Sequence, residues 1–295
     1  MSKDALFFDR FHNRLVITGQ LVALTGLRIG AGRSTNPVGS DLPVLRDALN
    51  RPYIPGASFK GVLRSSVESF LRTLAGDKVG ACYPVGDEQE RCLNDANIDR
   101  LKSQYGDDNT QLAQALWAAS CLACRTFGAQ WLASHVYISD LPVEPTLWAG
   151  QYEVRNGVSI DRDTETAKEG LLYEFETVPA GVAFRCHLEA ENMSDWQLAL
   201  LLLALRPFER GEATIGGATS RGLGRVQLEN LATSYFALGG SDPVTQMIAY
   251  LDQGARGTDI TLSQRTAWQT ALHAELAEAY KMTGEKGADH AKTAL

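Results

Sequence analysis

The chain has 295 residues, 44% of them hydrophobic and 21% charged; this globular composition excludes extensive disorder and leaves one large domain or two small ones as the choices. Its formal charge of −7, from 28 Lys+Arg against 35 Asp+Glu, excludes a globally basic nucleic-acid binder but not a local basic groove. The most apolar run, Leu198 to Leu205, is far shorter than the ~20 residues of a membrane span, and Met1 to Arg14 has no apolar signal core, so a cytoplasmic, membrane-free protein without disulfides is expected.

Arg14 to Ile29 reads as one long strand, with Leu15, Ile17, Leu21, Ala23, Leu27 and Ile29 on one period-2 face. A loop rich in Gly, Ser, Asn and Pro follows from Gly30 to Ser40, then a short apolar element from Leu42 to Leu45. Ser58 to Leu74 reads as an amphipathic helix, with Phe59, Leu63, Val67, Phe70 and Leu74 at helical spacing, Ser58 as N-cap and Gly76 as terminator. Gly76 to Ser120 is polar and irregular, with one helix near Leu112 to Ser120, and reads as an insertion without a good core of its own. His135 to Leu141 alternates as a strand. Pro142 to Pro179 is a second insertion, polar and hairpin-like. Ala183 to Ala190 (strand), Trp196 to Phe208 (apolar helix capped by Ser194 or Asp195) and Arg225 to Leu231 (strand) complete a core. Pro243 to Leu251 and Leu262 to Met282 look helical, and Gly284 to Leu295 has no core-forming pattern.

Without the insertions the order is strand, helix, strand, strand, helix, strand. That is the ferredoxin-like split βαβ unit: an α+β fold whose antiparallel sheet has helices on one face and a free binding face on the other. The fold by itself implies no function.

Five stretches carry candidate chemistry. In Ile215 to Arg225, the glycines Gly216, Gly217, Gly222 and Gly224 let backbone N–H groups approach a phosphate, and Arg221 and Arg225 supply charge. The stretch lacks the Gly-Lys-Ser/Thr ending of a P-loop and enters a strand, unlike a dinucleotide fingerprint. A flexible connector is the plain alternative. Lys60 and Arg64 lie four apart on one helix face near its N-terminus, a set that suits phosphate or an ordinary solvated face. Asp41, in Gly39-Ser40-Asp41-Leu42-Pro43-Val44, is a loop carboxylate able to bind a divalent cation, orient a ribose 2′-OH, or simply close a turn. Cys82, Cys92, Cys121 and Cys124 include a Cys-x-x-Cys knuckle and fit a structural Zn2+; a redox pair competes, but its thioredoxin-like context is missing. Cys186 alternates with apolar neighbours and reads as core. The hairpin sequence around Ile160-Asp161-Arg162 has apolar residues with no obvious partner in the chain. The five histidines are scattered, and His-Glu-x-x-His, Gly-x-Ser-x-Gly and kinase signatures are absent.

Taken in order, Gly26-Leu27-Arg28-Ile29-Gly30, Asp41-Leu42-Pro43-Val44, Tyr53 to Gly61, Cys121 to Gly128, Ile160-Asp161-Arg162 and Gly216 to Gly224 resemble the RAMP superfamily of CRISPR-associated proteins. More closely, they resemble the backbone subunit that forms the filament of type III CRISPR effector complexes. The resemblance implies a hand-shaped, RRM-like subunit. Its palm would comprise 1–75, 131–150 and 179–231. A zinc-binding finger or lid would span 76–130 and a thumb hairpin 151–178, with C-terminal helices and tail over 232–295. It implies that each subunit grips about six guide-RNA nucleotides, as a regular array would, and that the thumb displaces one nucleotide at the boundary with the next subunit.

The RNA contacts implied are Arg28, Ser58, Lys60, Arg64, Ile160, Arg162, Gly216, Gly217, Arg221, Gly222, Gly224 and Arg225. The catalytic residue implied is Asp41, cutting complementary target RNA with Mg2+ or Mn2+; Leu42 separates it from Pro43-Val44, and Asp47 is a second carboxylate nearby. The implied partners are guide RNA, target RNA, copies or paralogues of the subunit and other type III subunits. From Arg28 to Arg72 there are seven basic residues against three acidic, so this motif region is locally positive. Two other functions remain open: an inactive RNA-binding filament subunit, and a guide-processing endoribonuclease using His12 or His135.

Overall fold

Alternation along strand β1 (Asn13–Ala23) buries Leu15, Ile17, Leu21 and Ala23 on one face. The computed structural model describes residues 7–33 and 40–293, so Ser34 to Gly39 of the glycine-rich loop lie outside the described residues. The strand stops at Ala23 rather than Ile29. Leu24 and Thr25 donate their N–H groups to Arg225 O, and Leu27 and Gly30 make isolated bridges to Val178 and Val44. Leu27 and Ile29 therefore stay buried in a different pairing, which is why their pattern reads as continuous strand.

Four antiparallel strands form the main sheet in the order β3 (Val136–Ile138), β7 (Ala183–Glu191), β1, β8 (Val226–Ala237). Helix α1 (Gly56–Ala75) follows β1 in the chain and α5 (Asp195–Glu209) follows β7. This is the connectivity expected of the split βαβ unit in a mixed α+β protein. Two short strands, β2 (Tyr53–Ile54) and β4 (Leu141–Pro142), pair beside it. In α1, Phe59, Leu63, Val67, Leu71 and Ala75 form the buried stripe, whereas Phe70 is partly exposed. The helix begins two residues before Ser58, and its N-cap Pro55 has no side-chain acceptor to offer. Asp140, beyond β3, supplies the missing acceptor: its Oδ1 takes the Gly56 N–H at 2.8 Å. Only glycine fits at 56, because a Cβ would stand 2.2 Å from Ile138 O. Ser194 and Gln197 cap α5, with Gln197 Oε1 accepting from the Ser194 amide at 3.0 Å.

The segment after α1 holds more structure than its polar sequence indicates: α2 (Asp95–Tyr105), α3 (Asn109–Ala119) and α4 (Leu122–Phe127). It has a small core of its own, Leu93, Ile98 and Leu116 packed with Leu101, Leu112, Trp131 and Leu132. Sparse apolar residues spread over two short helices leave little periodic signal, and α2 buries only Ile98. Strands β5 (Glu153–Ile160) and β6 (Ala167–Thr177) form a separate two-stranded hairpin. At the C-terminus, α6 (Pro243–Asp252) and α7 (Leu262–Thr293) follow β8. Helix α7 runs past Gly284, where the sequence shows no core pattern; positions 294–295 lie outside the described residues. It packs on the main core through Trp268, Leu272 and Ala279. Among the described residues no helix is long and apolar enough to cross a membrane.

His135 is a core group. It is 2% exposed, its Nδ1 lies 2.9 Å from Glu191 O, and its ring stacks on Phe8 and meets Trp117 edge-on. Burial lowers its pKa below the usual imidazole value. The native state therefore resists protonating it, while the unfolded chain takes a proton below about pH 6.5. Stability tied to His135 is complete above that pH and is lost as pH falls through it. The urea midpoint is expected to drop between pH 7 and 5, and to drop less in His135→Asn.

Candidate nucleic-acid interface

Asp41 stands on a short segment held between two other pieces of chain. On one side Ala31 N donates to Pro43 O at 3.1 Å and Leu45 N to Ile29 O at 2.8 Å. On the other side Leu42 pairs in parallel with Phe175 of β6, through Leu42 N to Glu174 O and Glu176 N to Leu42 O, both 3.1 Å. The Glu174 amide donates to Asp41 Oδ2 at 3.1 Å and is its only hydrogen-bond partner among the described residues. Asp47 is differently placed. Its carboxylate accepts the Leu49 and Arg51 amides and the Arg51 guanidinium, all at 2.9 Å. The backbone and side chain of Arg51 hold its pKa below the usual range. Asp47 closes a turn, which leaves Asp41 as the available carboxylate of the pair.

Next to this segment a cavity of about 500 Å³ is lined by Arg28, Leu42, Arg155, Tyr173, Phe175, Ser220, Arg221 and Leu223. Among the described residues none that line it is acidic. Arg28 reaches over the Phe175 ring at 5.7 Å, and its buried Nε has no hydrogen-bond partner among the described residues. Arg221 Nη1 donates to the Tyr173 hydroxyl at 3.0 Å. Three guanidinium groups with two aromatic rings suit an anionic, planar ligand. The glycine-rich loop forms one wall. Gly216, Gly222 and Gly224 have positive φ, and a Cβ at Gly216 would stand 2.3 Å from Arg28 O; glycine here lets the loop close on Arg28. Gly217 donates its N–H to that same oxygen at 2.9 Å. Arg225 does not line the cavity: its Nε donates to Gly211 O at 2.6 Å.

The α1 residues lie apart from this cavity. Lys60 Nζ donates to Ser134 Oγ at 2.7 Å and Val136 O at 2.9 Å, and burial lowers its pKa. Arg64 bonds Glu68, Gly128 O and Cys124 Sγ. Both line a second, shallow depression with Gly61, Phe127 and Leu132. Ser58 is half-buried in the first turn of α1, whose first N–H is already taken by Asp140.

The four cysteines converge, their sulfurs within 4.8 Å of one another. Cys82 and Cys124 sulfurs are 3.6 Å apart, close to the ~3.8 Å edge of a tetrahedron with 2.3 Å Zn–S bonds. Cys121 Sγ accepts the Cys82 and Cys124 amides at 3.5 and 3.4 Å, as metal-bound thiolates do. Hydrogen bonding among the sulfurs, led by Cys121, pushes the Cys82 pKa down and the Cys124 pKa up. Cys186 is buried elsewhere, its pKa raised to about 11 by desolvation.

At the hairpin tip Ile160 is 65% exposed, and Arg162 is exposed in a turn closed by Asp161 Oδ1 on the Asp163 and Thr164 amides. Neither lines the cavity. Arg155, Tyr173 and Phe175, at the hairpin base, do. Sequence reading missed these three, although a signal existed: Tyr173 and Phe175 alternate on one face, and Tyr173 pairs with Gly157 and covers it. The open sheet face is poorly suited to a polyanion. Its registers place Glu189, Glu191 and Glu229 among Arg14, Arg185 and His187, and Phe236 at one end is stacked at 3.9 Å on Tyr250 of α6.

The sequence model of the RAMP superfamily matches residues 20–227. The chain is similar to the CRISPR system Cms endoribonuclease Csm3 of Methanothermobacter thermautotrophicus, 28% identical over 233 residues that cover 75% of this chain and 86% of that protein. The protein of the same name from Methanocaldococcus jannaschii is 23% identical over 228 residues, 74% and 79% of the two chains. That from Mycobacterium tuberculosis is 52% identical over 87 residues, 26% and 37% of the two chains.

Proposed function

The chain belongs to the RAMP superfamily, and from that premise we propose that it is the guide-RNA-binding backbone subunit of a type III CRISPR ribonucleoprotein, cutting complementary target RNA at Asp41. The observation that carries this reading is the juxtaposition of Asp41 with the arginine- and aromatic-lined cavity at the hairpin base. The cavity holds a backbone and its bases without reading sequence, a task left to guide–target pairing. In this reading 76–130 is the finger with its zinc, 151–178 the thumb, and the remaining segments up to 231 the palm. Arg28 and Arg221 face guide phosphates across a wall formed by the glycine-rich loop, whose Gly217, Gly222 and Gly224 amides are spent within the protein on Arg28 O, Thr219 O and Gly26 O, and Ile160 and Arg162 meet a neighbouring copy and a displaced nucleotide. Lys60 and Arg64 lie along the second depression as a continuation of the path, with Ser58 in the first turn of the same helix, and Arg225 braces the loop.

For the chemistry, a displaced nucleotide can adopt the in-line angle that a stacked one cannot. The 2′-oxygen then attacks its own phosphorus, its proton passes to the Asp41 carboxylate, and the bond to the 5′-oxygen breaks, that oxygen taking a proton from water. One carboxylate plus substrate phosphates is an ordinary way to hold Mg2+ or Mn2+, and among the described residues Asp41 belongs to no group of three or more potential metal ligands. Such an ion supplies charge stabilisation at the phosphate.

The phosphate role is tested by salt. Guide-RNA affinity is expected to fall with ionic strength, and Arg28→Ala and Arg221→Ala each to reduce the log–log slope by about 0.7, the share of one single-strand phosphate contact. An unchanged slope in both variants overturns the assignment of this cavity. The guide-processing alternative is disfavoured by the burial of His135 and by the place of His12, which is outside the lining of the cavity.

A further inference from the structure

Side chains also join the Asp41 segment to β6: Ser40 Oγ donates to Glu174 O at 3.0 Å, Asp41 Oδ2 accepts the Glu174 amide, and a further bond is made by Glu176. Leu42 uses both its N–H and its C=O on residues 174 and 176. The next amide on that edge, Val44 N, instead donates to the side chain of Glu176, with Oε2 at 3.1 Å. The same oxygen pairs with the Arg46 guanidinium. Arg46 in turn lies 3.9 Å over the Tyr152 ring, just before β5, and donates to Asn50 Oδ1 at 2.9 Å. The Glu176 side chain is only 14% exposed. One carboxylate thus extends the ladder by a bond and ties both ends of the hairpin to the segment that carries Asp41.

We propose that Glu176 is a positioning residue for Asp41: it locks the register of the Asp41 segment on the hairpin, so that the hairpin which displaces a nucleotide also fixes which phosphodiester faces the carboxylate. This rests on the reading of Asp41 given above. The geometry requires that the two act together, because Asp41 Oδ2 itself accepts the Glu174 amide of the same strand. Past Leu42 the segment is also held to the palm, Ala31 N donating to Pro43 O and Leu45 N to Ile29 O, so Glu176 is what keeps Val44 and Arg46 on the hairpin. Glu176 is therefore needed for the accuracy and rate of the cut and not for holding RNA.

The test uses guide-bound complex, labelled complementary RNA and Mg2+, with Glu176→Ala, Glu176→Gln and Asp41→Ala beside wild type. Single-turnover rate, target affinity and the nucleotide position of each cut are read. Glu176→Ala is expected to lose about tenfold or more in rate, the scale of a small misplacement of reacting groups, with affinity unchanged and cuts spread to neighbouring phosphodiesters. Glu176→Gln keeps an acceptor for Val44 N and is expected to recover cut position and part of the rate. Wild-type rate and position in Glu176→Ala overturn the proposal. So does loss of RNA affinity in Glu176→Gln, which also decides the matter if Glu176→Ala fails to fold. Persistent cleavage in Asp41→Ala refutes the reading of Asp41 instead, whatever the Glu176 variants do.

Discussion

Replacing Cys124 with serine is expected to abolish stoichiometric zinc binding and to lower the thermal midpoint by about 10 °C, the shift that follows a loss of several kcal/mol in a chain of this size. The reason lies in what the four sulfurs connect. Cys82 follows α1, Cys92 precedes α2, and Cys121 and Cys124 open α4, so one ion held by all four would fasten three separate parts of the 76–130 segment. The local core of Leu93, Ile98 and Leu116 is small and gives partial independence from the metal. A structural zinc contributes far more than a few such side chains. Arg64 reaches the Cys124 sulfur from α1, so the loss is transmitted to the main core. Metal analysis of the wild type is expected to give one zinc per chain. A redox Cys121–Cys124 pair would leave Cys82 and Cys92 as bystanders; metal-free wild type with a reversible disulfide would establish it and contradict the zinc reading.

Asp41→Ala is expected to cut target RNA at least about a hundredfold more slowly than wild type, the usual range for loss of a positioned proton acceptor, while guide and target affinities stay within about twofold, since this carboxylate makes no attractive phosphate contact of its own. Asp47→Asn is the contrasting variant. Its carboxylate is spent on the Arg51 turn, so it should weaken the loop and leave the chemical step close to wild type. Equal losses in the two variants would place the chemistry elsewhere.

The split βαβ core was legible because its helices and strands each bury a clean periodic face: Leu15, Ile17 and Leu21 in β1 and Phe59, Leu63 and Val67 in α1. The cysteines were legible because thiols spaced for one ion have few other uses. What the sequence concealed was long-range. Asp140 capping α1 across 84 residues leaves no local mark, and Ser58, the better cap by residue type, is not used. Helix α2 hides because one buried isoleucine makes no period. The cavity was only half visible: Arg28 and Arg221 stand in conspicuous glycine-rich sequence, whereas Arg155, Tyr173 and Phe175 join them only when the hairpin folds back. The supposedly free sheet face was a fold-level expectation, and α6, beyond the family match, covers one end of it.

The proposed function has this subunit, repeated along a guide, cut the paired target once per copy. Its most direct test is to map every cut that wild-type guide-bound complex makes in end-labelled complementary RNA with Mg2+. A ladder at a constant step of about six nucleotides is expected, as a regular array of identical subunits imposes. Tight, salt-sensitive binding of the target with no cut at any position would contradict it and leave an RNA-binding filament subunit without catalytic activity.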